Sequence, residues 1–326
     1  MYIRHVLILL IFLSIQSLYS QTCCSGGIPL SNSLGLSNEG KGSVQLGLHY
    51  DYNNLSTLNA GSDKLDDDSR HRITHSALFN IGYSITNRWS VETLFTWVNQ
   101  RRIINQFGNT DLQQTSGFGD AVVLAKYSFP KILGETSDVT LGAGSKIPLG
   151  SFDEVNGDGI TYIADLQPGS GAWDIILFAS FSKNFKFRPT TTFSARVINR
   201  ITGENKEYLD GASIYEYGDE TQLFFGVTDQ FLVFNTIINP GLTFKYRSAN
   251  RDIIDGNELD NTGGKWLFVI PSLSIKLSPE ITFLNKLELP VISNVDGTQL
   301  TPTYRFSSGF VFNLNGKKNK INLNSE

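Results

Sequence analysis

Cys23 and Cys24 stand side by side in QTCCSGG, and they are the only cysteines of the chain. Vicinal thiols of this kind could hold a soft metal, close a strained disulfide, or join another chain in an oxidising compartment. The simpler reading is an N-terminal segment without chemistry. Of the four histidines, His49 lies two residues from Asp51, and His71 and His75 are four apart. On a helix His71 and His75 would share a face and could serve a metal, but on an extended chain the same spacing separates them by more than about 12 Å. LDDDS (65–69) and DEVNGDG (153–159) cluster carboxylates, yet neither follows the ligand order of an EF-hand. Solvated loop tips that bridge divalent ions to lipopolysaccharide are the expectation for both. G-x-S-x-G, P-loop, H-E-x-x-H and paired C-x-x-C motifs do not occur. No metal, cofactor or catalytic set is therefore expected, and a hydrolase would have to be built on His49.

The elements that carry these residues are extended. In SVQLGLHYDY (43–52), Val44, Leu46, Leu48, Tyr50 and Tyr52 alternate with Gln45, Gly47, His49 and Asp51. Successive side chains on a strand point to opposite faces, so this strand has one apolar and one polar face. The pattern recurs at 72–85, 89–98, 119–129, 138–148, 173–183, 188–199, 220–229, 236–247, 265–277, 281–290 and 304–314. Most of these twelve segments approach the roughly 9–11 residues that cross a bilayer at a tilt, against about 5–6 for an average soluble strand.

The connections alternate in length. Short ones fall at 86–88, 130–137, 184–187, 229–232 and 278–280, and long polar ones at 55–71, 99–117, 149–172, 200–218, 249–264 and 291–303. Outer-membrane barrels have this asymmetry of short periplasmic turns and longer external loops, and an even strand number returns both termini to the periplasm. The sequence therefore predicts an all-β fold: a transmembrane antiparallel up-and-down β-barrel of about 12 strands. A bilayer offers no partner to bare backbone groups, so the sheet must close on itself.

Charge placement agrees with a lipid face and a wet lumen. His49, Asp51, Glu92, Asp120, Lys126, Lys146, Asp174, Arg196, Lys245, Arg247, Lys286 and Glu288 fall on the polar parity and are the candidate lumen-lining residues. Arg305 shares that parity, whereas His75 falls with the apolar set and needs either an interfacial position or a slipped register. A basic residue facing lipid at mid-membrane would cost about 2–4 kcal/mol. Trp89, Trp97, Tyr83, Tyr127, Phe129, Trp173, Phe187 and Tyr246 are placed for interfacial girdles. Gly117, Gly119, Gly142, Gly144 and Gly241 suit strand bends and close backbone approach where a barrel curves.

Arg4 and His5 precede the apolar run VLILLIFL, with a small residue at Ser20, the layout of a signal peptide cleaved after residue 20. The organisation is then 1–20 signal peptide, 21–42 flexible segment or partial lumen plug, 43–314 barrel and 315–326 polar tail. The net charge of -4 carries no clustered basic surface, so nucleic acid is not a partner. The expected partners are the outer-membrane bilayer, lipopolysaccharide, the barrel-assembly machinery and a small-molecule solute.

GFGDAVVLAKYSF (117–129), KIPLG (146–150), LQPGSGAWD (166–174), YEYGDE (215–220), NTGGKW (261–266) and DGTQLTPTYRFSSGF (296–310) together resemble the outer-membrane family of the MetA pathway of phenol degradation. The likeness runs from about residue 72 to 314. It implies a barrel that passes small solutes, hydrophobic or aromatic ones among them, across the outer membrane of a Gram-negative cell, and it brings no catalytic residues. A closed-lumen structural or surface-interaction barrel is the alternative, followed by a barrel enzyme.

Overall fold

The computed structural model describes residues 34–314. The expected signal peptide, Cys23, Cys24, the first part of the 21–42 segment and the 315–326 tail lie outside the described residues. Twelve long strands form the wall: β1 (Val44–Ala60), β2 (Arg70–Ser84), β3 (Trp89–Gln106), β4 (Ala121–Pro130), β5 (Ser137–Ile147), β6 (Asp174–Phe185), β7 (Arg188–Ile201), β8 (Glu220–Thr228), β9 (Thr236–Ala249), β10 (Gly264–Lys276), β11 (Ile281–Val295) and β12 (Thr298–Leu314). Each pairs antiparallel with its chain neighbours, and β12 returns to β1, from Val44↔Leu314 to Ala60↔Thr298. The sheet is closed, so the strands' backbone donors and acceptors face one another rather than hydrocarbon.

The alternation of side chains becomes an inside and an outside. Leu48, 54 % exposed, stands outward between Phe79 of β2 and Phe310 of β12, while Gln45 and Asp51 of the same strand are buried. Trp89 and Trp97 both point outward on β3, eight residues apart. That is roughly 26 Å along an extended chain, close to the height of an outer-membrane apolar belt. At the short-turn end Trp89, Tyr127 and Phe129 form an edge-to-face run with centroids 4.9 and 4.7 Å apart. His75 faces outward with no slip in register between β1 and β2. Its Nδ1 shares a 2.6 Å hydrogen bond with the Tyr50 hydroxyl, and the Tyr52 ring lies 5.3 Å away, so the imidazole is absorbed by an aromatic cluster on the wall.

Several of the expected loops carry strand, two of them over most of their length. Residues 99–117 are not a loop: β3 continues to Gln106, turns at Phe107 and Gly108, and returns as a strand, Asn109–Phe118, paired with β3. Likewise β11 and β12 run through 291–303 and are joined only by Asp296 and Gly297, where Gly297 has φ +79°. Both segments lie beyond the apolar belt, where water reaches both faces and no alternation is required of a strand. At the wall itself, Gly144 has a structural reason: a Cβ there would sit 2.0 Å from the Val123 carbonyl oxygen. The short turns keep local capping, as where the Thr86 hydroxyl accepts the Trp89 amide at 2.8 Å.

Candidate functional site

The lumen gathers the ionisable residues into four groups. At the external end of consecutive strands β4 to β9, one charge per strand alternates in sign: Asp120, just before β4, then Lys146, Asp174, Arg200, Glu220 and Arg247. Lys146 Nζ lies 2.7 Å from Asp174 and 3.4 Å from Asp120. Arg200 bridges Asp174 at 3.9 Å and Glu220 at 3.6 Å, and Arg247 meets Glu220 at 2.9 Å. The Trp266 ring of β10 ends the arc, 4.6 Å from the Arg247 guanidinium. All six ionic side chains are buried. Charges removed from water persist only when paired and hydrogen-bonded, and the alternation supplies a partner on each side.

A second group adjoins the arc, running from β9 through β11 and β12 to β1. Arg305 donates to Asp51 at 2.7 Å, and Lys245 to Glu288 at 2.7 Å with its ammonium 4.5 Å from the Phe268 ring. His49 lies on this inward face, where its Nδ1 comes 2.3 Å from the point a Cβ on Gly309 would occupy. No serine, threonine or carboxylate is hydrogen-bonded to His49 among the described residues, and no cluster of three metal-ligating side chains occurs among them.

The third group holds the chain's own N-terminal strap. Residues 34–42 run into the barrel from the short-turn end, and Leu34 is buried in a cluster with Leu78, Leu94, Leu124, Ile176, Phe178, Ile198 and Phe224. Glu92 accepts the Gly35 amide through both carboxylate oxygens at 3.1 Å and the Leu36 amide at 3.2 Å. Lys126, paired with Glu92 at 2.7 Å, donates to the Leu36 carbonyl at 2.5 Å. Arg196 donates to the Leu34 carbonyl at 2.5 Å. Three charged side chains therefore clamp three successive peptide groups, a polar grip around one apolar anchor.

The fourth group fastens an external loop. Residues 148–173 fold over the external opening, and the short helix Ala164–Leu166 is buried. Arg72 donates to the Asp165 carboxylate and its carbonyl, both at 2.6 Å, and also to Gln100. Asp120 accepts the Ser170 hydroxyl at 2.6 Å and the Gly150 amide at 3.2 Å, which ties the loop to the charge arc. Gly150 and Gly169 cross so closely that a Cβ on Gly169 would sit 2.5 Å from the Gly150 backbone. Above the loop a small four-stranded sheet, Glu204–Tyr208, Ser213–Glu216, Ile253–Ile254 and Asn257–Glu258, packs Tyr208, Tyr215 and Tyr217 around Ala164. Burial holds the Asp252 carboxyl above the usual range there, although it accepts the Tyr215 hydroxyl at 2.7 Å and the Gly218 amide at 2.8 Å.

The wall has one seam. β11 and β12 pair only between Ile281↔Phe312 and Glu288↔Arg305, and beyond that point β11 keeps only β10 and β12 only β1. Pro290 and Pro302 flank the break, and a cavity of about 450 Å³ opens beside them. A larger cavity, about 550 Å³, lies at the short-turn end between the strap and β4 to β9.

Of the sequence-selected residues, Asp51, Glu92, Asp120, Lys126, Lys146, Asp174, Lys245, Arg247 and Glu288 are buried, and His49, Arg196 and Lys286 are half-buried on the same parity. Reading the sequence did not single out Arg72, Arg200, Glu220, Gln100 or Asp165. Parity alone could have found Arg200, four residues after Arg196 on the same strand. Nothing local marks Asp165, which reaches the lumen only because its loop folds inward.

Closed antiparallel sheet, apolar outer belt, aromatic ends and charged interior together define an outer-membrane β-barrel, and this is a protein of the outer membrane. Its structure is similar to that of the COG4313 outer membrane channel from Pseudomonas putida F1, at 13% identity and a TM-score of 0.66, over 88% of this chain and 100% of that one. The beta domain of the Bordetella autotransporter Brka aligns at 10% identity and a TM-score of 0.47, over 83% of this chain and 99% of that one. No family model matches the chain. No curated protein matches it either.

Proposed function

We propose that this barrel is a gated outer-membrane channel for small solutes, hydrophobic or aromatic ones among them. The observation that carries this reading is how the lumen is closed. The strap and the external loop are held by ion pairs and hydrogen bonds to charged wall residues, contacts that can be exchanged for water and solute one at a time. Lumen-lining roles follow for Lys126, Glu92 and Arg196 at the strap and for the Asp120–Lys146–Asp174 end of the arc at the loop. Inward Lys and Arg outnumber inward Asp and Glu, which favours anions over cations in the open path. The resemblance to the MetA-pathway family supports an aromatic or hydrophobic cargo, and the unpaired seam between β11 and β12 offers such a cargo apolar surface at Val291 and Ile292, both exposed. Lipopolysaccharide against the external loops and the assembly machinery on the periplasmic side complete the proposed partners.

A closed structural barrel is the second reading, favoured by the complete pairing of the charge arc. Swelling of liposomes that carry the refolded protein, measured across sugars, amino acids and small aromatics, separates the two. Entry of small aromatics faster than sugars of similar size supports the channel, and no entry of any solute supports the closed barrel.

A further inference from the structure

The cavity at the short-turn end is chemically two-sided. Its inner end is aromatic, formed by Phe178 and Phe224 beneath the buried Leu34. Hydroxyls from neighbouring strands surround the rest, among them Ser128 and Thr140, which share a 2.9 Å hydrogen bond, and Ser180 and Ser194. Two cations enter it. Lys126 is already committed to Glu92 and the Leu36 carbonyl. Arg196 differs: its guanidinium lies 4.4 Å from the centre of the Phe224 ring, it gives one N–H to the Leu34 carbonyl, and among the described residues it has no carboxylate within ion-pair distance. The arc and the group beside it show how this barrel treats those inward cations, by setting a carboxylate beside each. One acid, Asp138, lines the cavity rim, where it accepts the Thr140 hydroxyl at 3.0 Å.

A guanidinium fixed on an aromatic ring, with no carboxylate in ion-pair contact among the described residues and only the more distant charge of Glu92 acting on it, is suited to take a planar carboxylate through paired hydrogen bonds. About 550 Å³ falls in the range of small-molecule sites and holds one ring or a short aliphatic chain beside that carboxylate. Resting on the channel reading and narrowing its cargo, we propose that this cavity binds a small organic acid. Its carboxylate sits on Arg196, its apolar body lies on Phe178 and Phe224, and the serine and threonine hydroxyls receive its polar substituents. A neutral alcohol of the same shape lacks the charge, and acetate lacks the body.

The test is ligand-observed fluorine NMR on the full mature chain in detergent, with 4-fluorobenzoate as probe, 4-fluorobenzyl alcohol as its neutral counterpart and acetate as competitor. Saturable binding of 4-fluorobenzoate is expected, at least tenfold tighter than the alcohol and displaced only weakly by acetate. Arg196→Gln should weaken it at least tenfold, and Arg196→Lys should fall between. Because Arg196 also grips the strap, Ser180→Phe provides a second variant, which leaves the guanidinium in place, sets a ring into the cavity from the position paired with Arg196 and should abolish binding. Heat-modifiable gel migration confirms that each variant is a folded barrel. Equal binding of acid and alcohol, or unchanged binding in folded Arg196→Gln, would overturn the site. Binding lost while solute flux through the wild-type barrel persists removes this site alone, whereas binding kept by a barrel that admits no solute removes the channel reading and leaves the site standing.

Discussion

Replacing Glu92 by Gln should loosen the strap without dismantling the wall. Glu92 is fully buried, and its carboxylate accepts the Gly35 and Leu36 amides at 3.1 and 3.2 Å while pairing with Lys126 at 2.7 Å. Gln keeps the shape but loses the charge and presents an NH₂ to groups that are themselves donors. Hydrogen bonds to charged groups contribute about 1.5–3 kcal/mol against about 1 for neutral ones, so two weakened amide bonds remove roughly 2 kcal/mol from the docked strap. The cost of leaving Lys126 without its carboxylate falls on docked and undocked states alike and largely cancels. About 2 kcal/mol corresponds to a roughly 30-fold rise in the undocked-to-docked ratio. Hydrogen–deuterium exchange read by mass spectrometry on the detergent-solubilised barrel should show amides of residues 34–42 exchanging about 10- to 30-fold faster, with β2 and β3 unchanged. Strap exchange equal to wild type in a folded Glu92→Gln barrel would refute the idea that this carboxylate holds the strap.

Other consequences can be checked separately. Asp165→Asn breaks the buried pair with Arg72, a class of change that costs about 3–5 kcal/mol, so loop 148–173 should become open to external protease while the wall resists. Phe225, outward on β8 and 52 % exposed, should tolerate Leu, but Phe225→Arg should lower stability in lipid vesicles by about 2–4 kcal/mol, measured by urea titration. For Asp252, burial raises the folded carboxyl above its unfolded value near 3.8, so the folded loops hold the proton more tightly. Their stability is therefore greatest at low pH and falls as pH rises from about 3.8 through the raised value. The near-UV signal of Tyr208, Tyr215 and Tyr217 should melt at lower temperature as pH increases across that window, and Asp252→Asn should flatten the trend.

What the sequence carried was whatever the bilayer demands. Lipid on one side and water on the other force alternation, so every wall strand from Val44 to Leu314 was readable, and with them the inward parity of Asp51, Glu92 and Lys126, though Arg72, Arg200 and Glu220 were not singled out. Outside the belt that demand ends, and Asn109–Phe118 reads as a polar loop although it is a strand. The site was legible by residue and not by arrangement. Alternation shows that Lys146 and Asp174 face inward but not that six neighbouring strands each contribute one charge at the same level, because that depends on register and tilt. The inward course of Asp165 and of the strap depends on long-range clamps, Arg72 and Glu92, that no local pattern announces.

Single-channel recording in planar bilayers tests the central claim, comparing a chain of residues 21–326 with one of residues 43–326. A polar-clamped strap in the lumen predicts small, infrequent currents from the intact chain and a several-fold larger, steady conductance from the shortened one. Two folded barrels that both stay silent, or that conduct alike, would contradict it.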